Sequence, residues 1–578
     1  MSDRAVAVLG VLTALGAMWA RPVPVVVGVV SVVVGLVCRR WWVLVAAAFL
    51  LASGLSARAW AGLSVAPQAH IAAVVTLLSD PTPVGSGERL TARYGRQHID
   101  VVAHGSGARK LARLLAGDRV WIEGDIKVVP GRNGRWLAQR HVVGRVEAVT
   151  VGDSYDGAAV FRSANRVRRA IERGAQVMTP AERALFSGFV LGDDRAEPSE
   201  VVDEFRATGL SHLTAVSGEN VAFVLVAAGP FLRRLTIKWR WLATIGLVVW
   251  FAMLTRFEPS VLRACAMATV SVTAWALARP TSTLRMLGLA ATAMMLADPF
   301  LVYSAGWWLS VGATFGIALL AGPISARIPG PRGLALAIGV TLAAQIGVAP
   351  VQLAVFGGLP VVSLPANLLA VPAAGPVMIW GLPAGLLAGF VPRPVAVLLH
   401  LPSRACIRWI ALVARLAARL PLGTLQVKHV IIAVVAVGAA RLWRRRPVGR
   451  MAALGLASAV AISVLVGAQT PPPAGLSRLG DTTRVWNIGR RVVVAVDGRA
   501  PRLLDQLRLA HVTHVDVLAA TSRSADLVAA SRLFQPAVLL GPDSPPGRYD
   551  LGTAVVEVVA YGNGIDLVVT GPGREDSS

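Results

Sequence analysis

The chain has 578 residues, 55% of them apolar and 15% charged, with a mean hydropathy of +0.61. A water-soluble domain of that size would lack the polar surface to cover itself, so the composition excludes an ordinary soluble enzyme and indicates a polytopic α-helical membrane protein. The formal net charge of +25 favours anionic partners over cationic ones.

A spanning helix needs about 20 mostly apolar residues. Candidates lie at 5–20, 22–37 and 41–62, and a longer set runs from 212 to 468, for roughly a dozen spans in all. The first is short and followed by "RPVP", as a signal peptide could be. Two more spans follow at once and no small-residue cleavage site stands out, so it reads as a retained helix. Residues 1–64 are thus expected to form a hairpin and a third span.

Residues 65–150 change character. "RLTARYG", "HIDVVAHG", "DRVWIEGDIKVV" and "RWLAQRHVVGRVEAVTV" read as short strands between Gly, Asn and Asp turns, which suits a small barrel such as an OB-fold. The segment carries 12 Lys and Arg against 7 Asp and Glu. OB-folds often bind single strands on a basic groove with stacking aromatics, but Tyr94, Trp121 and Trp136 are the aromatics available here, and a structural barrel with a solvated basic face is an equal reading.

The linker 151–208 contains "FRSANRVRRAIERGA". Arg162, Arg166, Arg169 and Arg173 follow i, i+4, i+7, i+11 and share one helical face, with Ala164, Val167 and Ile171 elsewhere. Such a face suits an interfacial helix against lipid headgroups or a rail for a polyanion.

The helical core, 209–470, opens with "GLSHLTAVSGENV". Ser217 and Gly218 loosen a helical pattern, and His212 and Glu219 are seven apart and share a face, with Asn220 beside them. A broken helix lining an aqueous path would satisfy these groups, as would a polar knot that pins helices together. Arg263 stands one turn into a later helix, where Glu258, Glu219 or a phosphate could meet it. Asn367 and Gln345 read as interhelical hydrogen-bonders. Arg404, Arg408, Arg415 and Arg419 fall within an arc of about 60° on an otherwise apolar helix, which puts them on a water-filled cavity, on counter-ions or at the interface. Cys38, Cys265 and Cys406 have no ligand spacing and read as inert thiols.

Orientation follows from "CRRWW", "RRLTIKWR", "ARPTSTLR", "ARIPGPR" and "RLWRRRPVGR", basic loops that the positive-inside rule places in the cytoplasm. The N-terminus is then cytoplasmic, and 65–150 and 475–578 are outside.

"GLSHLTAVSGENV" resembles the G-x-x-H-L-x-A-[IV]-S-G signature of the ComEC competence-protein family. "FVLGDDR" (189–195), "FEPSVLRACAMA" (257–268, with Ser260 and Arg263), "DPFLVYSAGWWLSVGATFG" (298–316) and "QIGVAPVQLAVFGGLPVVSLPANLLAVP" (345–372) resemble its further motifs in the family's order. The resemblance implies a plasma-membrane channel that passes single-stranded DNA into the cytoplasm during natural transformation, with an outside OB-like domain. His212, Ser217, Glu219, Asn220, Ser260, Arg263 and Asn367 would line the path, Arg404, Arg408 and Arg415 would lead inward, and Arg162, Arg166, Arg169 and Arg173 would form an outside cationic face. An outside DNA receptor and an ATP-driven cytoplasmic motor are implied partners, since the chain has no P-loop motif. A transporter of another anionic substrate, or a non-conducting membrane scaffold, are the alternatives.

Many family members carry a metallo-β-lactamase-like domain, and 475–578 resembles a reduced form of it, with Asp497 and Gly498 at its early Asp-Gly turn. Where that domain has a Thr-His-x-His-x-Asp-His run, this chain has "TSRSADL" (521–527). Ser522, Ser524 and Leu527 replace the histidines, and hydroxyls and an alkyl chain cannot hold a divalent metal as imidazoles do. His511 and His514 lie nearby without a ligand cluster. No catalytic residue, metal or cofactor is therefore expected. The purified segment 475–578 should not cleave DNA with magnesium, manganese or zinc, and metal-dependent cleavage in a gel assay would overturn that expectation.

Overall fold

The computed structural model describes residues 2–38, 40–63, 70–84, 87–129, 131–214, 218–279, 281–420, 423–426 and 429, and of the C-terminal part residues 475–479, 482–488, 491–497, 503–510, 512, 514–521, 525–541, 547–550, 555–561, 564–571 and 574–576. They form two compact units, residues 1–196, 212–356 and 367–412 in the first and 197–211, 357–366 and 413–578 in the second.

The first unit begins with α1 (Asp3–Trp19), α2 (Val25–Val37) and α3 (Trp41–Ala61). Ser2 caps α1 by accepting from the Ala5 amide, as an N-cap serine does. Both α1 and α2 pack on α3.

The barrel follows, with β1 (His70–Leu77), a short β2 (Thr82–Val84), β3 (Gly87–Tyr94), β4 (Gln97–His104), α4 (Gly105–Leu111), β5 (Arg119–Lys127), α5 (Gly131–Ala138) and β6 (Val142–Tyr155). The order is β1-β5-β6-β4-β3, and β1 pairs again with β3 at Thr76↔Arg93 and Leu77↔Ala92, which closes the sheet. β4 and β6 run parallel while their other neighbours are antiparallel. Five strands closed in this order, with a helix between the third and fourth, make an OB-like barrel. Alternate residues Ile71, Val75, Leu90, Ile99, Val101, Ile122 and Val146 fill its interior, following the period of two along each strand. The sequence expectation differs at one place. Residues 135–138, read as the start of a strand, belong to α5, and β6 begins at Val142 and runs on to Tyr155.

After the barrel come α6 (Ala159–Gly174), α7 (Pro180–Leu191), α9 (Ser211–Thr214), α10 (Gly218–Leu232), α11 (Ile237–Leu254), α12 (Pro259–Ala276), α13 (Thr283–Ala297), α14 (Ala305–Ser325), α15 (Arg332–Phe356), α16 (Ser363–Ala388) and α17 (Arg393–Ala418); α8 (Ser199–Ala207) belongs to the second unit. Among the described residues six helices are long and apolar enough to cross a bilayer, α3, α11, α14, α15, α16 and α17, and three shorter ones, α2, α10 and α13, are apolar too. This falls short of the dozen expected, in part because α12 carries Ser, Thr and Arg and α1 carries Asp3 and Arg4; residues 430–474 lie outside the described set.

The tightest packing is between α14 and α15. A Cβ at Gly347 would lie 2.1 Å from the Gly312 carbonyl oxygen, and one at Gly316 would lie 2.2 Å from that of Ala343. "GATFG" is a small-xxx-small face, which lets helix backbones touch where lipid offers no hydrophobic gain from association.

In the second unit β9 (Gly475–Leu479), β10 (Thr483–Ile488), β11 (Arg491–Val496), β12 (Val517–Ala520) and β13 (Val538–Leu540) form one sheet in chain order. Its last three strands are parallel, joined through α18 (Leu503–Leu509) and α19 (Ala525–Phe534). One face carries Val492, Val494 and Leu518 beneath Leu503, Leu507 and Leu527 of the helices. The other carries Trp486, Val493 and Val517 against Val556, which belongs to a second, antiparallel sheet of β14 (Gly547–Asp550), β15 (Val555–Tyr561), β16 (Gly564–Gly571) and β17 (Arg574–Asp576).

Candidate functional site

Three separate stretches of sequence meet at one guanidinium. Glu258 precedes Pro259, and proline at the first helical position fixes the start of α12, as its locked φ allows. Arg263 is then carried one turn in and is 7% exposed. Its Nε donates to the Ser310 hydroxyl of α14 at 2.8 Å, and Nη1 lies 3.2 Å from the Met267 sulfur. The first residue of α10 closes the site, since a Cβ on Gly218 would sit 2.7 Å from Arg263 Nη2. A side chain at this position would push the guanidinium aside, a packing reason for Gly218 that the sequence alone did not disclose.

Among the described residues no carboxylate lies within ion-pair distance of Arg263, so neither Glu219 nor Glu258 is its counter-ion. Glu219 is exposed in the first turn of α10 and His212 is exposed in α9. Asn220 turns inward and donates to the Phe189 carbonyl at 3.3 Å. Ser260 is half-buried in the first turn of α12 and Asn367 is buried in α16. Ser217 lies outside the described residues.

The α17 arginines are not a bare cationic track. Arg404 Nε donates to Glu182 Oε2 at 3.1 Å and Arg408 Nε to Glu182 Oε1. Within the second unit Arg415 faces Glu204 at 3.7 Å. All three therefore have carboxylate partners, the counter-ion arrangement among those the sequence left open. Glu182 went unrecognised in the sequence, although "TPAE" (179–182) signals it. Thr179 and Glu182 form a reciprocal capping box at the start of α7, the S/T-x-x-E signature.

On α6 the spacing argument holds. Arg166, Arg169 and Arg173 are exposed, Arg162 is half-exposed, and Ala164 and Ile171 are buried. The residue it missed is Arg168, which points the opposite way and is 1% exposed. Its Nη2 reaches Asp80 of the barrel and Asp193 after α7, both at 3.1 Å, while Nη1 donates to the carbonyls of Leu191 at 3.1 Å and Leu254 at 2.9 Å. Gly192 ends α7 at φ 69°, a left-handed cap that glycine adopts without strain, and this turns Asp193 toward Arg168 and Arg195. The "LGD" motif thereby has a physical role.

Arg256 completes the cluster. It reaches Asp80 at 2.8 Å and Asn165 at 2.9 Å. Both Arg256 and Phe257 have left-handed φ, 60° and 57°, a conformation costing non-glycine residues about 1–2 kcal/mol each; the ion pair and the Phe161–Phe257 ring contact offset it. Burial alone would raise the Asp80 carboxyl, but Arg168 and Arg256 overcome it and hold the carboxyl below its usual range. For Asp193 burial is likewise outweighed, chiefly by its hydrogen bond from Arg195.

The barrel's usual ligand face is occupied by its own side chains. Asp100, 2% exposed, takes Arg89 at 2.7 Å and Arg145 at 2.6 Å. The Trp136 ring lies under Arg140 at 3.9 Å and beside Arg89 at 5.2 Å. Tyr94 and Trp121 are half-buried. In the second unit Leu527 packs in the core and His514 lies 3.7 Å from Asp516, while Gly498, His511, Ser522 and Ser524 fall outside the described residues.

Arg168→Ala should destabilise the full-length protein by about 3–5 kcal/mol, because it takes a buried cation from two buried carboxylates and leaves two carbonyls without their donor; thermal unfolding in detergent measures this. Asp80 has a depressed folded-state pKa, so its contribution is complete above the ordinary carboxyl range of about 3.9 and is lost as pH falls through the folded value. Burial shifts Glu172 and Asp194 upward, so the readout is the difference between wild type and Asp80→Asn. That difference should be flat from about pH 7 to 5 and shrink below about pH 4; growth on acidification would contradict the assignment.

Residues 189–447 match the family model described as competence protein. The chain is 28% identical over 206 residues to an uncharacterized protein, YcaI, of Escherichia coli (strain K12), covering 33% of this chain and 27% of that protein. It is 30% identical over 203 residues to ComE operon protein 3 of Bacillus subtilis (strain 168), covering 34% and 25%, and 31% identical over 139 residues to an uncharacterized protein of Aquifex aeolicus (strain VF5), covering 24% and 33%. The aligned part thus spans only about a quarter to a third of each relative. No solved structure matches. The matched segment holds the convergence of Gly218, Arg263 and Ser310, so the residues that meet at this guanidinium lie in the part of the chain that is similar to the competence-protein (ComEC) family, beside an OB-like barrel and six helices long and apolar enough to cross a membrane.

Proposed function

We propose that this protein passes a single strand of DNA across the plasma membrane into the cytoplasm during natural transformation. The observation that carries the reading is Arg263. A guanidinium withdrawn from water needs a compensating partner, and its protein partners, a hydroxyl and a thioether, carry no charge. A passing phosphate supplies the missing anion.

In this reading the N-terminus is cytoplasmic, and the barrel and the C-terminal segment lie outside, where the strand arrives. About a dozen spans, some broken, complete the membrane domain. His212, Ser217 and Glu219 sit at the entry. A separate receptor hands over the DNA, and a cytoplasmic ATP-driven motor supplies the force. The C-terminal sheets and helices are a metal-free descendant of a metallo-β-lactamase-like domain without nuclease activity.

Transformation of a deletion strain complemented with variants tests the role of Arg263. Arg263→Ala, present in membranes at wild-type abundance by immunoblot, should lower transformation frequency at least about tenfold, equivalent to about 1.4 kcal/mol. Arg263→Lys should retain more activity than alanine, since it keeps the charge. Wild-type frequency in Arg263→Ala would exclude a phosphate contact there.

A further inference from the structure

A cleft of about 340 Å3 lies between α6 and one end of the barrel, lined among others by Asp118, Tyr155, Asp156, Arg162, Arg166 and Arg169. It is not the OB face described above. β5 and β6 pair antiparallel, with Arg119 opposite Tyr155 at one end and Lys127 opposite Arg145 at the other. The cleft opens at the Arg119–Tyr155 end, while Trp136 and Arg140 belong to the segment joining β5 to β6 at the opposite end.

Three guanidiniums face two carboxylates here, and the pairing is loose. Asp118 is committed to its own turn, accepting from the Leu115 amide at 2.9 Å and from Asn165 at 3.4 Å, and Arg169 stands 3.7 Å off. Arg162 meets Asp156 at 3.3 Å, but the Asp156 side chain is 81% exposed, where such a pair contributes little. Arg166 has no carboxylate within ion-pair distance among the described residues. Along the helix the three arginines rise by about 6 Å and then about 4.5 Å, steps on the scale of successive phosphates in an extended strand. Tyr155, 49% exposed, supplies a ring face for a base. The volume lies at the lower end of the range for small-ligand sites, about 300–1,000 Å3, and so suits a nucleotide unit and not a duplex.

We propose that this cleft binds the sugar-phosphate backbone of a single nucleic-acid strand, through Arg162, Arg166 and Arg169 with Tyr155 against a base; the proposal rests on the strand-passage reading for its ligand. Charge and an aromatic face together fit a nucleic acid better than a lipid headgroup. The fourth arginine marks the lipid-side end of the helix. Arg173 lies over the exposed Phe390 ring at 5.7 Å, and a Cβ at Gly174 would meet the Gly385 carbonyl of α16 at 2.3 Å.

The test is equilibrium binding of a fluorescent oligothymidylate to the full-length protein in neutral-lipid nanodiscs, across a salt series. Arg166→Ala should weaken binding about fivefold and reduce the slope of log affinity against log salt by about 0.7, the value for one lost phosphate contact on a single strand. Asp156→Asn frees Arg162 and should tighten binding, a gain that a folding defect cannot imitate. Arg173→Ala should change neither quantity. Absence of oligothymidylate binding to the wild type, or unchanged affinity and slope in Arg166→Ala and Asp156→Asn, overturns the proposal. So does an effect of these two variants confined to flotation with anionic vesicles. The two readings fail separately: loss of the Arg166→Ala and Asp156→Asn effects on oligothymidylate binding while transformation still depends on the protein overturns the cleft alone, and undiminished transformation in a deletion strain while those effects persist overturns strand passage alone.

Discussion

The buried guanidinium of Arg168 is the constraint on which the first unit depends. A charge that is 1% exposed is tolerated only when strong acceptors compensate it, and both terminal nitrogens of Arg168 have them. Those acceptors come from the barrel at Asp80, the end of α7 at Leu191 and Asp193, and the end of α11 at Leu254. Barrel, linker helices and membrane helices are thereby fixed to one another at a single point. Removing one acceptor weakens the compensation of a charge inside the protein and loosens the join between the elements that meet there.

The same node orients both regions assigned to DNA. Asn165, on the buried face of α6, donates to the Ala116 carbonyl and accepts from Arg256, so the helix that carries Arg162, Arg166 and Arg169 cannot rotate without breaking the cluster. Arg256 in turn sits in the short turn between α11 and α12, seven residues before Arg263. A strand held in the cleft and a strand reaching Arg263 would meet surfaces whose spacing is set by one set of ion pairs.

Much of this was legible in the sequence. Period-two patterning gave the barrel strands, and apolar runs gave the long helices. The i, i+4, i+7 spacing placed four arginines on the open face of α6, and the ordered motifs gave the family. What stayed hidden were pairings between residues distant in sequence. Arg168 lies within the same arginine-rich run as its exposed neighbours, and nothing local separates the one that meets Asp80, 88 positions away. The arginines of α17 looked like a track because Glu182 lies 222 positions before Arg404, although a capping box marked that glutamate. Gly218 was read as a helix loosener, and only the approach of Arg263 shows why it bears no side chain. Residues 135–138 were misread because a tryptophan beside arginine resembles a strand when the cation–π stack over Trp136 is out of view.

The central claim, that this protein carries DNA through the membrane, is tested most directly by nuclease-protected uptake. Labelled duplex DNA would be given to a transformable host with and without the gene, and the label surviving external nuclease counted inside the cells. The account predicts that the deletion strain still holds DNA at its surface but that all of it remains digestible, with protection restored by the wild-type gene. Undiminished protected DNA in the deletion strain would contradict it.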